Sequence, residues 1–172
     1  MMTTKCMIIP IIMFLAAVAT VAADGPEISI QRTTRIKDGI QFSVQIKNQG
    51  HSSVFLEETL EGSRDPYAIN IEQLQPDTSW ASVGPRRDTP AASVFELKPG
   101  AEIDKTITVQ DPYVDLRSAP NKRYPIRGRH RASVRYFLSP KAWSESIRNF
   151  RKNSTLVYSE IIFIAAGAGL DH

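Results

Sequence analysis

The sequence predicts an all-β protein, a two-sheet sandwich of about seven strands carrying one short helix between the last two strands. Three observations point there. Apolar and polar residues alternate with period two along several stretches, the pattern of strands buried on one face. Turn-forming residues punctuate those stretches at short intervals. Only one segment, 140–151, repeats its apolar residues at helical spacing. Two packed layers are the economical way to bury one face of each such strand.

Taken in order, Ile28 and Ile30 suggest a first strand. Gly39 to Lys47 is the clearest, with Ile40, Phe42, Val44 and Ile46 facing inward and Gln41, Ser43, Gln45 and Lys47 facing water. Asn48-Gln49-Gly50 ends it. Ser53 to Glu58 and Tyr67 to Glu72 read as extended, the latter with Tyr67, Ile69 and Ile71 on one face. Pro76 to Ser79 is a turn, and Ser82 to Ala92 a long loop. Val94 to Leu97 is a short strand closed by Pro99-Gly100, and Ile103 to Val109 alternates again. Pro112 to Gly128, with three prolines, is an irregular crossing. His130 to Leu138 is a strong strand, with Ala132, Val134, Tyr136 and Leu138 inward and Arg131, Ser133, Arg135 and Phe137 outward. Pro140 to Arg151 is the helix: Ser139 stands at the cap, Pro140 in the first turn, and Trp143, Ile147 and Phe150 recur at i, i+4 and i+7. Thr155 to Ala165 is apolar on both faces, which predicts a final strand covered on both sides, at least in part.

The segment Met1 to Ala23 has the layout of a secretory signal peptide. Lys5 is followed by the apolar run Met7 to Val18, and then by the small residues Val21-Ala22-Ala23. The run is short for a bilayer span and is interrupted by Pro10. Cleavage after Ala23 would leave residues 24–172, about 149 residues, as one exported domain with no transmembrane span. The single cysteine, Cys6, lies in the removed part, so the mature chain would have neither a disulfide nor a thiolate nucleophile. Exported small domains without disulfides point to a bacterial envelope, periplasmic or extracellular, rather than a eukaryotic secretory route.

Charge divides unevenly. Residues 24–115 hold 15 acids against 9 Lys and Arg, whereas residues 116–172 hold 3 against 11. No acid occurs from Leu116 to Ser144, a stretch containing Arg123, Arg127, Arg129, Arg131 and Arg135. Two readings compete. Either these arginines are wet faces compensating acids elsewhere, or they form an anion-facing patch for an acidic protein or an anionic envelope polymer. Trp143, Ile147 and Phe150 have a similar pair of readings: a lid closing one end of the sandwich, or an exposed stripe for a partner. Nucleic acid is not an expected partner.

The runs Phe42 to Gly50, Leu97 to Val109 and Ile126 to Tyr136 resemble three segments of bacterial immunoglobulin-like domains: the second-strand "V-x-V-x-N-x-G", the "L-x-P-G-E" turn, and the closing "P-G-x-Y-x-V-x-V" strand. Cell-adhesion-related bacterial domains are one example. The layout is also similar to the bacterial immunoglobulin-like proteinase-inhibitor family, in which a tryptophan sits between the middle strands, as Trp80 does here. The resemblance implies an immunoglobulin-like fold and no particular activity. With the export signal and the scarcity of chemical motifs, the reading is an exported, non-enzymatic binding or assembly module without a cofactor, the alternative being a proteinase inhibitor of the resembling family. His130 stands where those domains usually keep a tyrosine, and is read as a structural residue bonding the backbone of the preceding crossing.

Sequence motifs for chemistry are few. His51, His130 and His172 make no His-x-x-x-His pair, and no nucleophile elbow or phosphate-cradling glycine loop is present. Glu57, Glu58, Glu61 and Asp65 form an acidic cluster that lacks the spacing of a calcium loop and reads as a solvated edge, so no metal site is assigned. Asn153-Ser154-Thr155 is a glycosylation sequon, relevant only to a eukaryotic source.

Overall fold

The computed structural model describes residues 25–58, 69–84, 91–114, 123–148 and 153–165, with the side chains of 113, 114, 123, 124 and 148 excepted. The signal segment therefore lies outside the described residues, as do Tyr67, Glu61, Asp65 and Phe150. Among the described residues the protein is an all-β sandwich with one helix. β1 (Pro26–Ile36), β2 (Gly39–Asn48) and β7 (Glu102–Gln110) form a three-stranded sheet with β2 at its centre. The second sheet has seven strands: β3 (Val54–Glu58), β4 (Asn70–Leu74), β5 (Trp80–Ser82), β6 (Ser93–Leu97), β10 (Gly128–Phe137), β11 (Thr155–Tyr158) and β12 (Ile162–Ile164). Ten strands thus make the two sheets, rather than about seven. Within the crossing, β8 (Tyr113–Val114) and β9 (Arg123–Tyr124) pair as a small ribbon.

β10 is the axis of the larger sheet. Ser133 pairs with both Asn70 of β4 and Tyr158 of β11, and Tyr136 pairs with both Leu56 of β3 and Thr155 of β11. A strand has two edges, so β3 and β4 lie end to end along one edge, while β11 and β12 share the other. The core fills the space between the sheets. Ile40, Phe42, Val44 and Ile46 of β2 meet Ala132, Val134 and Tyr136 of β10, joined by Leu56, Ile71, Leu97, Ile107 and Val109. The strong alternation of β2 is therefore realised in the predicted register.

Two parts of the pattern are corrected. Leu138, expected inward, is 68% exposed, whereas Phe137 and Ser133, expected outward to water, are fully buried. β10 ends at Phe137, so the alternation does not reach Leu138. Phe137 is on the outer face of the sheet, and α1 (Pro140–Arg148) packs back onto β10 at that end. The second correction concerns the last strand, which is two strands. Ser133 faces Tyr158 while His130 faces Ile162, so three residues, 159–161, stand opposite two on β10. This one-residue bulge is held by Ser159, whose N–H donates to Ala132 O and whose hydroxyl accepts from Ala132 N–H, both at 2.8 Å. A single extra residue inverts the parity of everything beyond it. Val157, Ile162 and Ile164 consequently pack on the core, and Tyr158, Ile161 and Phe163 are exposed. The outer side of the final segment is covered only near Leu156 and Tyr158, where Leu156 is half-buried and Arg131 stacks on the Tyr158 ring, while Ile161 and Phe163 face solvent.

The helix begins as predicted. Ser139 caps it, its hydroxyl accepting from Ala142 N–H at 3.0 Å. No helix among the described residues is long and apolar enough to cross a membrane.

Candidate functional site: an arginine-lined cleft at the end of the larger sheet

Alternation along β10 sends His130, Ala132, Val134 and Tyr136 into the core, and the intervening arginines to the outer face. Their fates differ because the neighbouring strands differ. Arg131 pairs in register with Glu72 of β4, and its Nε donates to Glu72 Oε2 at 2.7 Å. Ser133 Oγ donates to the other carboxylate oxygen at 3.0 Å. The Arg131 guanidinium also stacks on two rings, 4.2 Å from the Trp80 centroid and 3.9 Å from that of Tyr158. Both members of the ion pair are mostly covered. Arg131 is thus neutralised and immobilised, and its role is to tie β4, β5, β10 and β11 together. Arg135 donates to Ser154 Oγ at 2.6 Å and is likewise engaged. Of the two, Arg131 is matched with an acid and Arg135 with a hydroxyl. The Arg123 side chain lies outside the described residues.

Arg127 and Arg129 are placed differently. Both are exposed, and neither forms an ion pair among the described residues. They flank Gly128, whose φ of +86° lies in the left-handed region that favours glycine, where a side chain would be strained. Both line an open cleft of about 590 Å³ between the end of β4, the start of β10 and β12. Leu74, Pro76, Pro125 and Phe163 supply apolar wall, and none of the ten lining residues is acidic. Phe163 is 74% exposed and pairs in register with Arg129. The structure therefore brings two of the five predicted arginines to one site. It adds Phe163 and Leu74, which sequence reasoning missed: the bulge that turns Phe163 outward leaves no mark in the periodicity.

Beneath the cleft sits His130, which is completely buried. Its Nδ1 lies 3.0 Å from Gly128 O, in keeping with the predicted bond to the backbone of the crossing. Its Nε2 lies 3.3 Å from Gln73 Oε1, and the Gln73 amide donates to Pro125 O at 3.3 Å. Both ring nitrogens thus face acceptors. A neutral imidazole that donates from Nδ1 offers only a lone pair to Gln73, and turning the amide over merely moves the mismatch to Pro125 O. The network is one proton short when the ring is neutral. Burial nevertheless holds the imidazole below the ordinary histidine value, with the Gly128 carbonyl working against that effect.

The remaining candidates divide. Trp143 is half-buried and its indole N–H donates to Glu57 Oε1 at 3.3 Å, pinning α1 to β3. Ile147 is 59% exposed and does not join the core. The predicted stripe is therefore split between a residue on the sheet and one in solvent, instead of closing the sandwich as a unit. Glu57 and Glu58 are buried, which corrects the solvated-edge reading. As neighbours on a strand they point to opposite faces, Glu57 towards Trp143 and Glu58 towards the Ser93 hydroxyl, which donates to it. No group of three or more His, Cys, Asp or Glu side chains that could hold a metal occurs among the described residues.

Comparison of the chain with protein-family models, with curated proteins and with solved structures finds no match.

Proposed function

We propose that the chain is an exported, non-enzymatic binding module of the bacterial envelope, recognising an anionic ligand through the Arg127–Arg129 cleft. The observation that carries this reading is a pair of exposed arginines that form no ion pair among the described residues and line a concavity none of whose described lining residues is acidic. Cations lining a cleft with apolar walls concentrate anions more strongly than the same charges on a flat face. The strand distribution supports the immunoglobulin-like part of the reading: β1, β2 and β7 in one sheet, with β6, β3, β10 and β11 in sequence across the other, partition as in that sandwich class.

The test is elution from a sulfated-polysaccharide column. Replacing Arg127 and Arg129 together by Ser should abolish salt-sensitive retention. Replacing Arg131 and Arg135 together by Gln removes the same charge, and should leave retention largely intact in protein whose fold is verified by circular dichroism. Equal losses from the two pairs would mean that overall charge, and not the cleft, governs binding.

A further inference from the structure

We propose that the cleft takes a small organic anion with an apolar body, its carboxylate, sulfonate or phosphate head between Arg127 and Arg129 and its body against Phe163 and Leu74. This rests on the reading of the cleft as an anion site and specifies its ligand. Three observations lead to it. First, the cleft of about 590 Å³ is of a size that encloses small molecules, and its walls are largely apolar although its charged groups are all cationic. A purely ionic ligand would leave that apolar surface facing polar groups.

Second, Phe163 is the most exposed large hydrophobic residue among the described ones, and it is held there by construction. Its neighbours Ile162 and Ile164 pack on the core, and the Ser159 bulge fixes the parity, so the ring cannot turn inward without unpairing β12. An aromatic ring fixed in solvent beside a cationic recess is complementary to a molecule carrying both characters. Third, Arg129 pairs in register with Phe163, which places the head-group and body contacts side by side on adjacent strands, about 5 Å apart. That spacing suits a compact amphiphile, whereas an acidic polymer would need repeated charges along a track, and Arg131 and Arg135 further along β10 are already occupied.

The experiment titrates the mature protein with three probes, following backbone amide shifts of Leu74, Gly128 and Phe163 by NMR. 1-Naphthalenesulfonate carries both features, methanesulfonate the head alone and 1-naphthalenemethanol the body alone. The sulfonate with its ring should bind at least about tenfold more tightly than either half. The Arg127→Ser/Arg129→Ser variant should reduce it to the level of the alcohol, and Phe163→Ser, a surface change that leaves the core intact, to the level of methanesulfonate. Methanesulfonate binding as tightly as the naphthalene compound, with the same arginine dependence, would overturn the apolar half of the proposal and leave the anion site standing. The alcohol binding as tightly, unaffected by loss of the arginines, would overturn both. An acidic, aromatic peptide such as N-acetyl-Asp-Phe-amide binding more tightly than naphthalenesulfonate would overturn the small-molecule assignment in favour of a protein partner.

Discussion

Removing the titratable group at His130 should take away one defined part of the pH dependence of the sandwich's stability in the acid range. The ring is fully buried in the core, 6.1 Å centroid to centroid from Phe42, and is bonded at Gly128 O. Its own contribution is large: His130→Ala opens a cavity and strips a donor from the partly buried Gly128 carbonyl, a loss of about 3–5 kcal/mol. The larger tyrosine of the resembling domains would overpack this site, at about 1–3 kcal/mol. The pH effect is separate. Because the folded-state value is lowered, the unfolded chain takes up a proton near pH 6.5 while the folded protein does not. The unfolded state then holds more protons, so stability rises with pH. This contribution is complete above about pH 6.5 and is lost as pH falls towards the folded-state value, with a limiting slope of about 1.4 kcal/mol per pH unit. Urea melts from pH 7.5 to 5.0 on wild type and His130→Gln provide the assay. Subtracting the two curves isolates the part that depends on His130. Wild type should lose stability relative to the variant as pH falls. Parallel curves would refute the argument, and a relative gain by wild type would show that the second acceptor, Gln73 Oε1, outweighs burial.

Two further outcomes test the packing. Phe42→Ala should lower stability by about 3–5 kcal/mol, whereas Gln41→Ala, on the opposite face of the same strand, should stay within about 0.5 kcal/mol in the same urea melts. At the end of β10 the effects should run against simple alternation: Phe137→Ala should cost about 3–5 kcal/mol and Leu138→Ala no more than about 0.5 kcal/mol.

The fold class was legible because it rests on β2 and β10, where one face is buried over most of the strand and a slip would place polar side chains in the core. Register errors began where a single residue intervened. The bulge at Ser159 is stabilised by a serine hydroxyl bonding Ala132 N–H, and nothing in the order of residues 155–165 distinguishes that serine from one in a regular strand. Phe137 and Ser133 were misplaced for another reason. Their outer face is covered by α1 and by the Glu72–Arg131 pair, so a face that alternation assigns to solvent acquires a second, smaller interior. Exposed Ile147 shows the converse: helical spacing marks which residues share a face, not whether anything packs against it.

The cleft was only half legible, because the neutralisation of a charge on a sheet is decided across strands and not along the chain. Counting acids and bases in sequence marks 116–144 as one basic stretch. In space, Arg131 meets an acid 59 residues away because β4 presents Glu72 at that rung of the ladder. Continuing the same register by one residue puts Leu74 beside Arg129, and Leu74 has no charge to offer. On its other side Arg129 meets Phe163, also uncharged. Arg129 is thus left unpaired by both of its neighbouring strands, two residues from an arginine that is fully neutralised. A Leu74→Glu substitution would supply the missing carboxylate in the position Glu72 holds beside Arg131. It should quench anion binding at the cleft without removing either arginine, and reverting its charge with Leu74→Gln should restore binding. Undiminished retention of the Leu74→Glu protein on the sulfated column would show that Arg129 is not what the anion meets.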